Sequence, residues 1–383
     1  MGAPSLTVLW DPRFREYDLG PDHPFNERSR ALAVRLLEAT APTGAGVEWV
    51  RSVSPAPRET LEAFHGSEYV DFIGRAGGYE NPILLDAGDT PSFPGCFEEA
   101  ARIVEGADRG LAIALETGRP AFHPAGGLHH ARPDRASGFC IFNDVGVAIA
   151  RSVRQGRRVA YLDIDAHHGD GVMYGFYDSG RVLDIDFHQD GRTLFPGTGF
   201  PSETGRADGE GLKVNLPLPP LTGDEALVPL FRRVVPPLLR EFRPELIVLQ
   251  HGVDGHLGDA LANLQYSPAA YAEVDRIVLG LAQELTGGRL LVTGGGGYRA
   301  SAVARVLART GWLLLGLSPP SDGTELPGAW RTEYLETIGE EAPRSWADSE
   351  RPTGSRWNSE LEEKLVRELE ERLGRRFPKP DGS

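Results

Sequence analysis

Apolar residues along the chain follow two alternating patterns, short continuous runs and longer runs with a helical period. The short runs are rich in Val, Ile and Leu and predict buried strands at 119–124, 158–165, 181–187, 246–252 and 289–295. The longer runs between them predict helices over 97–117, 144–155, 225–241, 268–286 and 300–315. Strands that alternate with helices in this way are typical of an α/β protein whose parallel sheet is covered on both faces.

No linker rich in Pro, Gly or Ser divides the alternating part of the chain, and no internal repeat is seen. One domain over residues 1–316 is therefore predicted, followed by a polar and irregular extension over 317–383. Within the extension, leucines at i+4 spacing over 361–373 predict an amphipathic helix that ends near Gly374. This helix either packs on the domain body, the interpretation we favour, or binds a partner.

Polar residues capable of chemistry gather where the predicted strands end. The run YLDIDAHHGDG (161–171) ends one strand with three aspartates and two histidines, and other strands end in DFHQD, HGVD and TGGGGY. The carboxyl ends of parallel strands share one edge of a sheet, and open α/β sheets bind their ligands there. We therefore expect these residues to converge in space.

Two aspartates of that run lie among apolar residues, where an unpaired carboxylate is costly. Asp163, Asp165 and His167 are spaced by two, which on a strand places them on one side. Carboxylates and an imidazole at such spacing suit a divalent metal, and a catalytic zinc site needs a third protein ligand. Asp254, just after the strand LIVLQHG, is the candidate. A bound metal would then offset the cost of burying Asp165 and Asp254.

Two further motifs offer the groups that a hydrolytic site with two carboxylate ligands needs beside its metal. The motif GGLHHARP carries His129 and His130, candidates for the general base that takes a proton from water. The motif TGGGGYRAS carries Tyr298, a candidate donor to a developing oxyanion. Asp163 and Asp170 are expected to orient one histidine each, as the acid of a catalytic triad does. Together these positions predict a metal-dependent hydrolase.

Composition narrows the choice of partners. The 383-residue chain has a formal net charge of −15, which argues against a nucleic-acid partner. The same charge either attracts cationic substrates or serves solubility alone, and both interpretations stay open. Its two cysteines, Cys96 and Cys140, are too few for a disulfide framework, and neither a signal sequence nor an apolar run of membrane-spanning length is seen. A cytoplasmic protein without a membrane partner is predicted.

The motifs GGLHHA, GFCIFND, LDIDAHHGDG, FPGTG, LQHGVD and GGGGY occur in the order found in one family. On these motifs the chain resembles the histone deacetylase family, which includes bacterial acetoin-utilisation proteins and acetylpolyamine amidohydrolases. The likeness runs from 17–26 to 294–306, about three quarters of the chain, and is greatest to the acetoin-utilisation branch. It implies a single-domain, three-layer α/β/α sandwich around a mostly parallel eight-stranded sheet, the arginase/deacetylase fold. The implied reaction is zinc-dependent hydrolysis of an acyl amide, typically Nε-acetyl-lysine in proteins or peptides.

The resemblance also implies a role for each motif residue. Zn²⁺, or Fe²⁺ in its place, would be bound by Asp165, His167 and Asp254. His130 would be the general base, backed by Asp170, and His129 its electrostatic or acid partner, backed by Asp163. Tyr298 would polarise the substrate carbonyl and stabilise the oxyanion.

A second group of residues would bind the substrate. They are Asp89, Gly138, Phe139, Phe195, Leu261 and Gly296. Phe139 and Phe195 would wall a narrow tunnel for the lysine stem, and Asp89 would grip the substrate backbone at its rim.

The family also binds potassium beneath the catalytic metal, to which Asp163, Asp165 and His167 would contribute together with backbone groups near Asp186 and Phe187. The chain departs from the family there, because Asp186 in DIDFH stands where a serine is usual. A second departure is Ser29 in HPFNERSR, where an arginine usually lines the channel for product release. Arg28 and Arg30 flank that serine.

Three other functions are alternatives to an acyl-lysine deacylase. An arginase-like enzyme with two metals would need a D-x-H-x-D motif, but Gly169 replaces its third acid. A non-catalytic acyl-lysine binder would be expected to lack Tyr298 or a metal ligand, and the chain keeps both. An acetylpolyamine deacetylase tends to carry an acid where Leu261 stands, so Leu261 favours acyl-lysine. Acyl chain length and oligomeric state stay open.

Overall fold

The computed structural model describes residues 5–79, 81–348, 352–355 and 357–379. Parts of both predicted domain ranges, including 1–4 and 380–383, lie outside the described residues. The strands are β1 (Leu6–Leu9), β2 (Val47–Val50), β3 (Ala121–His123), β4 (Val159–Asp163), β5 (Val182–Gln189), β6 (Lys213–Leu218), β7 (Leu246–Gln250) and β8 (Leu290–Thr293). The helices are α1 (Arg28–Thr40), α2 (Arg58–Leu61), α3 (Ser67–Ala76), α4 (Cys96–Thr117), α5 (Asp144–Arg154), α6 (Asp170–Gly175), α7 (Asp224–Phe242), α8 (Pro268–Leu281), α9 (Ala300–Leu314), α10 (Gly328–Ile338) and α11 (Ser359–Leu373).

Eight of the described segments form one sheet in the order β2-β1-β3-β8-β7-β4-β5-β6. Every pairing between these strands is parallel, so the predicted α/β fold with a parallel eight-stranded sheet is confirmed. Helices cover both faces, which makes the central strands apolar throughout. In β4 and β7 every residue is buried. Because all strands run in one direction, their carboxyl ends form a single edge of the sheet.

All five predicted strands are present, but three more complete the sheet. The strands β1 (LTVL) and β2 (VEWV) are four residues long, and no strand was predicted in that part of the chain. The edge strand β6 (KVNLPL) contains Pro217, which has no backbone N–H and usually argues against a strand, although edge strands tolerate it. The predicted strand 158–165 also ends earlier, at Asp163.

The predicted helices agree closely with α4, α5, α7, α8 and α9. The last turn of the predicted helix 268–286 widens into a π-helical segment, Ala282–Thr286. The C-terminal helix α11 ends at Gly374, which adopts a left-handed conformation that suits glycine. Helix α11 buries Leu365, Val366 and Leu369, and its Glu363 pairs with Arg233 of α7 at 2.6 Å. Within the described part of the chain, no helix is both long and apolar enough to cross a membrane.

Candidate active site

The predicted site residues converge at the carboxyl edge of the four neighbouring strands β3, β8, β7 and β4. Asp163 is the last residue of β4, so Asp165 and His167 lie in the following loop, and strand alternation does not explain their common direction. Two successive turns do. Asp163 Oδ1 accepts the backbone N–H of Asp165 at 3.0 Å, and Asp165 Oδ1 accepts the backbone N–H of His167 at 2.9 Å. An aspartate that bonds the backbone two residues on stabilises such a turn, and its repetition explains the spacing of two.

A candidate metal-binding cluster consists of Asp165, His167 and Asp254. One ligand atom from each residue lies within 4.8 Å of the others, and all three residues are buried. His167 Nδ1 lies 2.8 Å from Asp254 Oδ2 and 3.2 Å from Asp165 Oδ1. Burial lowers the pKa of His167, but the two carboxylates outweigh it and raise that pKa to about 10. Two carboxylates therefore meet one imidazole at a point that favours positive charge.

Neighbouring groups orient the carboxylates of this cluster. Asp165 Oδ2 accepts hydrogen bonds from Gln250 Nε2 at 3.0 Å and from the backbone N–H of Gly296 at 2.7 Å. Asp254 Oδ1 accepts the backbone N–H of Ala166 at 2.7 Å. One oxygen of Asp254 thus fixes the carboxylate, and the other faces the cluster. Such outer partners hold metal ligands in the orientation needed for binding.

The two adjacent histidines each have their own aspartate. His129 Nδ1 lies 2.8 Å from Asp163 Oδ2, and His130 Nδ1 lies 2.8 Å from Asp170 Oδ1. The Nε2 atoms of the two rings are 3.1 Å apart. Burial lowers the pKa of His129, but the carboxylates of Asp163 and Asp165 outweigh it and raise that pKa to about 10. Burial and the neighbouring His129 lower the pKa of His130 to about 4. Their environments therefore favour a charged His129 and a neutral His130, which can accept a proton.

The loop that carries the histidine pair is anchored by the start of α5. The Asn143 side chain accepts the backbone N–H of Gly146 at 2.7 Å, which caps the helix. Its amide nitrogen donates to the carbonyl oxygens of His129 and Ala131, both at 3.0 Å. One side chain therefore begins the helix and fixes the loop.

Tyr298 follows the glycine-rich loop after β8. Its ring centroid lies 6.5 Å from that of His167, and burial keeps the pKa of its hydroxyl well above the ordinary value. The hydroxyl therefore stays protonated and can donate a hydrogen bond. The loop passes so close to the metal-binding cluster that a Cβ atom at Gly296 would collide with the Asp254 carboxylate. A glycine is required at this position by that approach.

A cavity of about 220 Å³ leads from the surface to these groups. It reaches His130, His167 and Tyr298. Its remaining walls are Asp89, Gly138, Phe139, Leu194, Phe195 and Leu261. Phe195 is 49% exposed and Leu261 36% exposed, so both lie at the mouth. The structure thus brings together every predicted substrate-binding residue except Gly296, which lines an adjoining inner cavity of about 20 Å³.

Residues 23–313 match the family model of the histone deacetylase domain. The chain belongs to the histone deacetylase family. It is 35% identical over 353 residues to the acetoin utilization protein AcuC of Bacillus subtilis (strain 168), a match that covers 89% of each chain. It is 34% identical to the protein of that name from Staphylococcus xylosus, over 87% of this chain and 88% of the relative. The chain is therefore a hydrolase of this family, similar to AcuC.

At the start of α1, Ser29 stands where the family pattern has an arginine. Ser29 is buried, and the neighbouring Arg30 takes the inward position. Its guanidinium lies 4.7 Å from the ring centroid of Phe25 and donates hydrogen bonds to the carbonyl oxygens of Asn26 and Gly295. A buried arginine therefore reaches the glycine-rich loop from a position one residue further along the chain than the family pattern predicts.

The other departure, Asp186, is compensated within the protein. Its Oδ1 lies 2.6 Å from His188 Nδ1, and its Oδ2 accepts the backbone N–H of Gly169 at 2.7 Å. His188 Nε2 faces the carbonyl oxygen of Gly199 at 2.9 Å. Both ring nitrogens thus meet an acceptor, which favours an imidazolium, and Asp186 raises the pKa of His188 although burial lowers it. The extra acid of this chain therefore has two buried partners, the His188 ring and the backbone N–H of Gly169.

Sequence reasoning missed several residues that position the site. They are Arg132, which bonds Asp170 at 2.5 Å, together with Gln250, Asn143, Asp259 and Leu194. Gln250 lies within the predicted strand 246–252, and Leu194 immediately precedes the motif FPGTG. Either position is a signal that could have identified the residue. Asp259 lies in an unpatterned loop, and no sequence signal marks it.

Proposed function

We propose that the chain is a zinc-dependent amidohydrolase that removes acetyl or other short acyl groups from the Nε-amine of lysine in proteins or peptides. One observation carries the proposal. A cavity with aromatic walls leads directly to the buried cluster of Asp165, His167 and Asp254, beside His130 and Tyr298. An extended apolar stem with an amide at its end fits that shape and that chemistry.

The donor set suits zinc. Two carboxylates and one imidazole are borderline-hard ligands, and three protein ligands leave room for water and substrate. When bound, Zn²⁺ supplies a Lewis acid that lowers the pKa of water and polarises a carbonyl. Fe²⁺ is the alternative ion for this donor set. Potassium beneath the site stays a prediction from the family resemblance, with Asp186 already paired to His188.

The proton transfers fall to the histidine pair. His130 Nδ1 is bonded to Asp170, so the atom that takes the proton of the attacking water is Nε2, which lies 3.1 Å from His129 Nε2. Asp170 also accepts two hydrogen bonds from Arg132, so its carboxylate stays ionised and stabilises the imidazolium that forms. His129, charged beside Asp163, stabilises the developing negative charge. The proton then passes from the pair to the leaving amine nitrogen of lysine.

The tyrosine supplies the remaining stabilisation. The Tyr298 hydroxyl donates a hydrogen bond to the carbonyl oxygen of the substrate, and that bond strengthens as the oxygen becomes negative. The phenyl rings of Phe139 and Phe195 contact the methylene stem and exclude water from it. Asp89 at the mouth accepts backbone N–H groups of a peptide substrate.

The first test compares two substrates on the zinc-loaded protein. We expect kcat/KM to be at least about tenfold higher for an acetyl-lysine peptide than for N-acetylputrescine, because Leu261 offers no charge to a distant ammonium. Tyr298→Phe serves as the inactive control. A preference for the polyamine would replace the protein substrate with a small polycation and assign the net charge of −15 to its recruitment. Binding of the peptide without turnover would make the chain a non-catalytic binder.

A further inference from the structure

Three segments of the chain meet at the mouth of the cavity, and His23 bridges them. They are the N-terminal loop 17–25, the loop 83–92 that carries Asp89, and the segment 138–141 that carries Phe139. His23 Nε2 lies 3.0 Å from the carbonyl oxygen of Asp89. The His23 ring also meets the Phe139 ring edge-on, with centroids 4.5 Å apart and planes at 85°. His23 therefore contacts both substrate-binding residues on this side of the mouth.

The backbone fixes the tautomer of this imidazole. The backbone N–H of Phe25 donates to His23 Nδ1 at 3.1 Å, so that nitrogen carries a lone pair. A neutral ring then bears its hydrogen on Nε2, where it donates to the carbonyl oxygen of Asp89. The hydrogen bond is directional and depends on the ring staying in place.

The loop 83–92 has its own internal order, which His23 joins to the rest of the mouth. The backbone N–H of Leu85 donates to the carbonyl oxygen of Thr90 at 2.8 Å, and that of Ser92 to the carbonyl oxygen of Ile83 at 2.8 Å. Thr90 Oγ1 accepts the backbone N–H of Phe139 at 3.0 Å. The loop is thus a formed turn attached at Thr90 and, one residue earlier, by His23 at Asp89.

We infer that His23 is a positioning residue for substrate binding, which holds the Asp89 turn and the Phe139 ring in the places where they meet the substrate. The inference rests on the proposed function, because it concerns how a peptide backbone is gripped. His23 stands apart from the metal-binding cluster and the reacting amide. Its removal therefore weakens binding of substrates that have a backbone and leaves the chemical step unchanged.

Three variants separate the two contacts of His23. His23→Ala removes both, His23→Gln keeps a donor near Nε2, and His23→Phe keeps the ring against Phe139. The substrates are an acetyl-lysine peptide and N-pentylacetamide, which has the lysine stem but no peptide backbone. For His23→Ala we expect the KM of the peptide to rise about tenfold with kcat within twofold of wild type. The KM of N-pentylacetamide should stay within twofold of wild type, and His23→Gln should restore most of the peptide KM.

A double-mutant cycle with Asp89→Ala tests whether His23 acts through Asp89. In that background His23→Ala should add less than twofold to the peptide KM, since the grip is already lost. The inference would be overturned if the increases in peptide KM caused by His23→Ala and Asp89→Ala multiplied fully in the double variant. It would also be overturned if His23→Ala raised the KM of the peptide and of N-pentylacetamide equally. A peptide KM unchanged in His23→Ala would overturn it as well.

Hydrogen exchange provides a readout that needs no turnover. The amides of Leu85 and Ser92 should exchange faster in His23→Ala than in wild type and return towards wild type in His23→Gln. Exchange unchanged in all variants contradicts the positioning role. A wild-type protein that hydrolyses neither substrate would refute the proposed function, whereas the exchange result still decides whether His23 holds the loop.

Discussion

The carboxylate of Asp259 joins Tyr298 to the mouth of the cavity. Its Oδ2 accepts the backbone N–H of Tyr298 at 2.8 Å, and its Oδ1 accepts the backbone N–H of Leu261 at 2.9 Å. The proposed oxyanion donor and a residue of the cavity wall are therefore fixed by the same half-buried side chain. Replacing the Asp259 side chain should therefore displace both Tyr298 and Leu261.

We expect Asp259→Ala to lower kcat by about tenfold or more, because two backbone donors lose their acceptor and Tyr298 loses its fixed position. Zinc content should stay at wild-type level, which metal analysis would check. In a Tyr298→Phe background the same change should have little further effect on kcat. If the losses in kcat caused by Asp259→Ala and Tyr298→Phe multiplied in the double variant, Asp259 would not act through Tyr298.

Tyr298→Phe removes the hydroxyl and keeps the ring. The expected loss in kcat is roughly 10²–10³, the size measured when one oxyanion donor is removed. Steady-state kinetics on an acetyl-lysine peptide would measure it, with thermal unfolding as the check on folding. Activity near that of wild type would exclude Tyr298 from the oxyanion role.

Asp254→Ala should abolish stoichiometric zinc binding, because only Asp165 and His167 of the cluster would remain as ligands. Asp178→Ala is a matched control, since it removes an exposed carboxylate paired with Arg206. Zinc per chain would be measured after dialysis, together with circular dichroism. Full occupancy in Asp254→Ala would remove Asp254 from the ligand set.

His65 should make the fold sensitive to acid. Its Nε2 accepts the backbone N–H of Asn143 at 2.9 Å and its Nδ1 faces the carbonyl oxygen of Arg132 at 3.0 Å, so the ring is neutral. Burial lowers its pKa from 6.5 to about 4, so the unfolded chain takes up the proton first as the pH falls. This contribution to stability is complete above pH 6.5 and is lost between there and pH 4, amounting to roughly 3 kcal/mol. In His65→Gln the free energy of unfolding should fall less steeply over that window, and parallel pH profiles would contradict the assignment.

Glu27 should have the opposite dependence on pH. It is 1% exposed, neither of its carboxylate oxygens has a hydrogen-bond partner among the residues that the structure describes, and Arg30 Nε lies 4.0 Å away. Burial raises its pKa from 4.5 to about 8, so the folded chain keeps a proton that the unfolded chain releases. Its contribution to stability is complete below pH 4.5 and is lost as the pH rises to about 8.

Glu27→Gln mimics the protonated side chain at every pH. The variant should match wild type near pH 4.5 and exceed it by roughly 2–4 kcal/mol at pH 8 in the free energy of unfolding. Denaturant titrations at both values would measure this. A difference that does not grow with pH would show that Glu27 is ionised in the folded protein.

Much of the fold and the site could be predicted because local pattern and chemistry agree. The apolar runs of β4 and β7 are long enough to mark buried strands, and the polar residues after them mark the functional edge of the sheet. The strand β6 was missed because Pro217 contradicts the local strand signal, and only its place at the edge makes the proline acceptable.

Other features depend on contacts that no local pattern encodes. The inward position of Arg30 follows from where α1 begins, and the bonds from Asp259 to Leu261 and Tyr298 join separate loops. The spacing of Asp163, Asp165 and His167 predicted a common direction for their side chains for the wrong reason, because successive turns direct the side chains where an extended strand was predicted.

The order of strands has a consequence for how the protein matures. Asp165 and Asp254 follow β4 and β7, which are neighbours in the sheet although β5 and β6 lie between them in sequence. A nascent chain that has made only β4 and the loop after it holds two of the three residues of the candidate metal-binding cluster. The proposed metal site is complete only once β7 has been inserted beside β4, so capture of an ion by this site would follow assembly of these two strands.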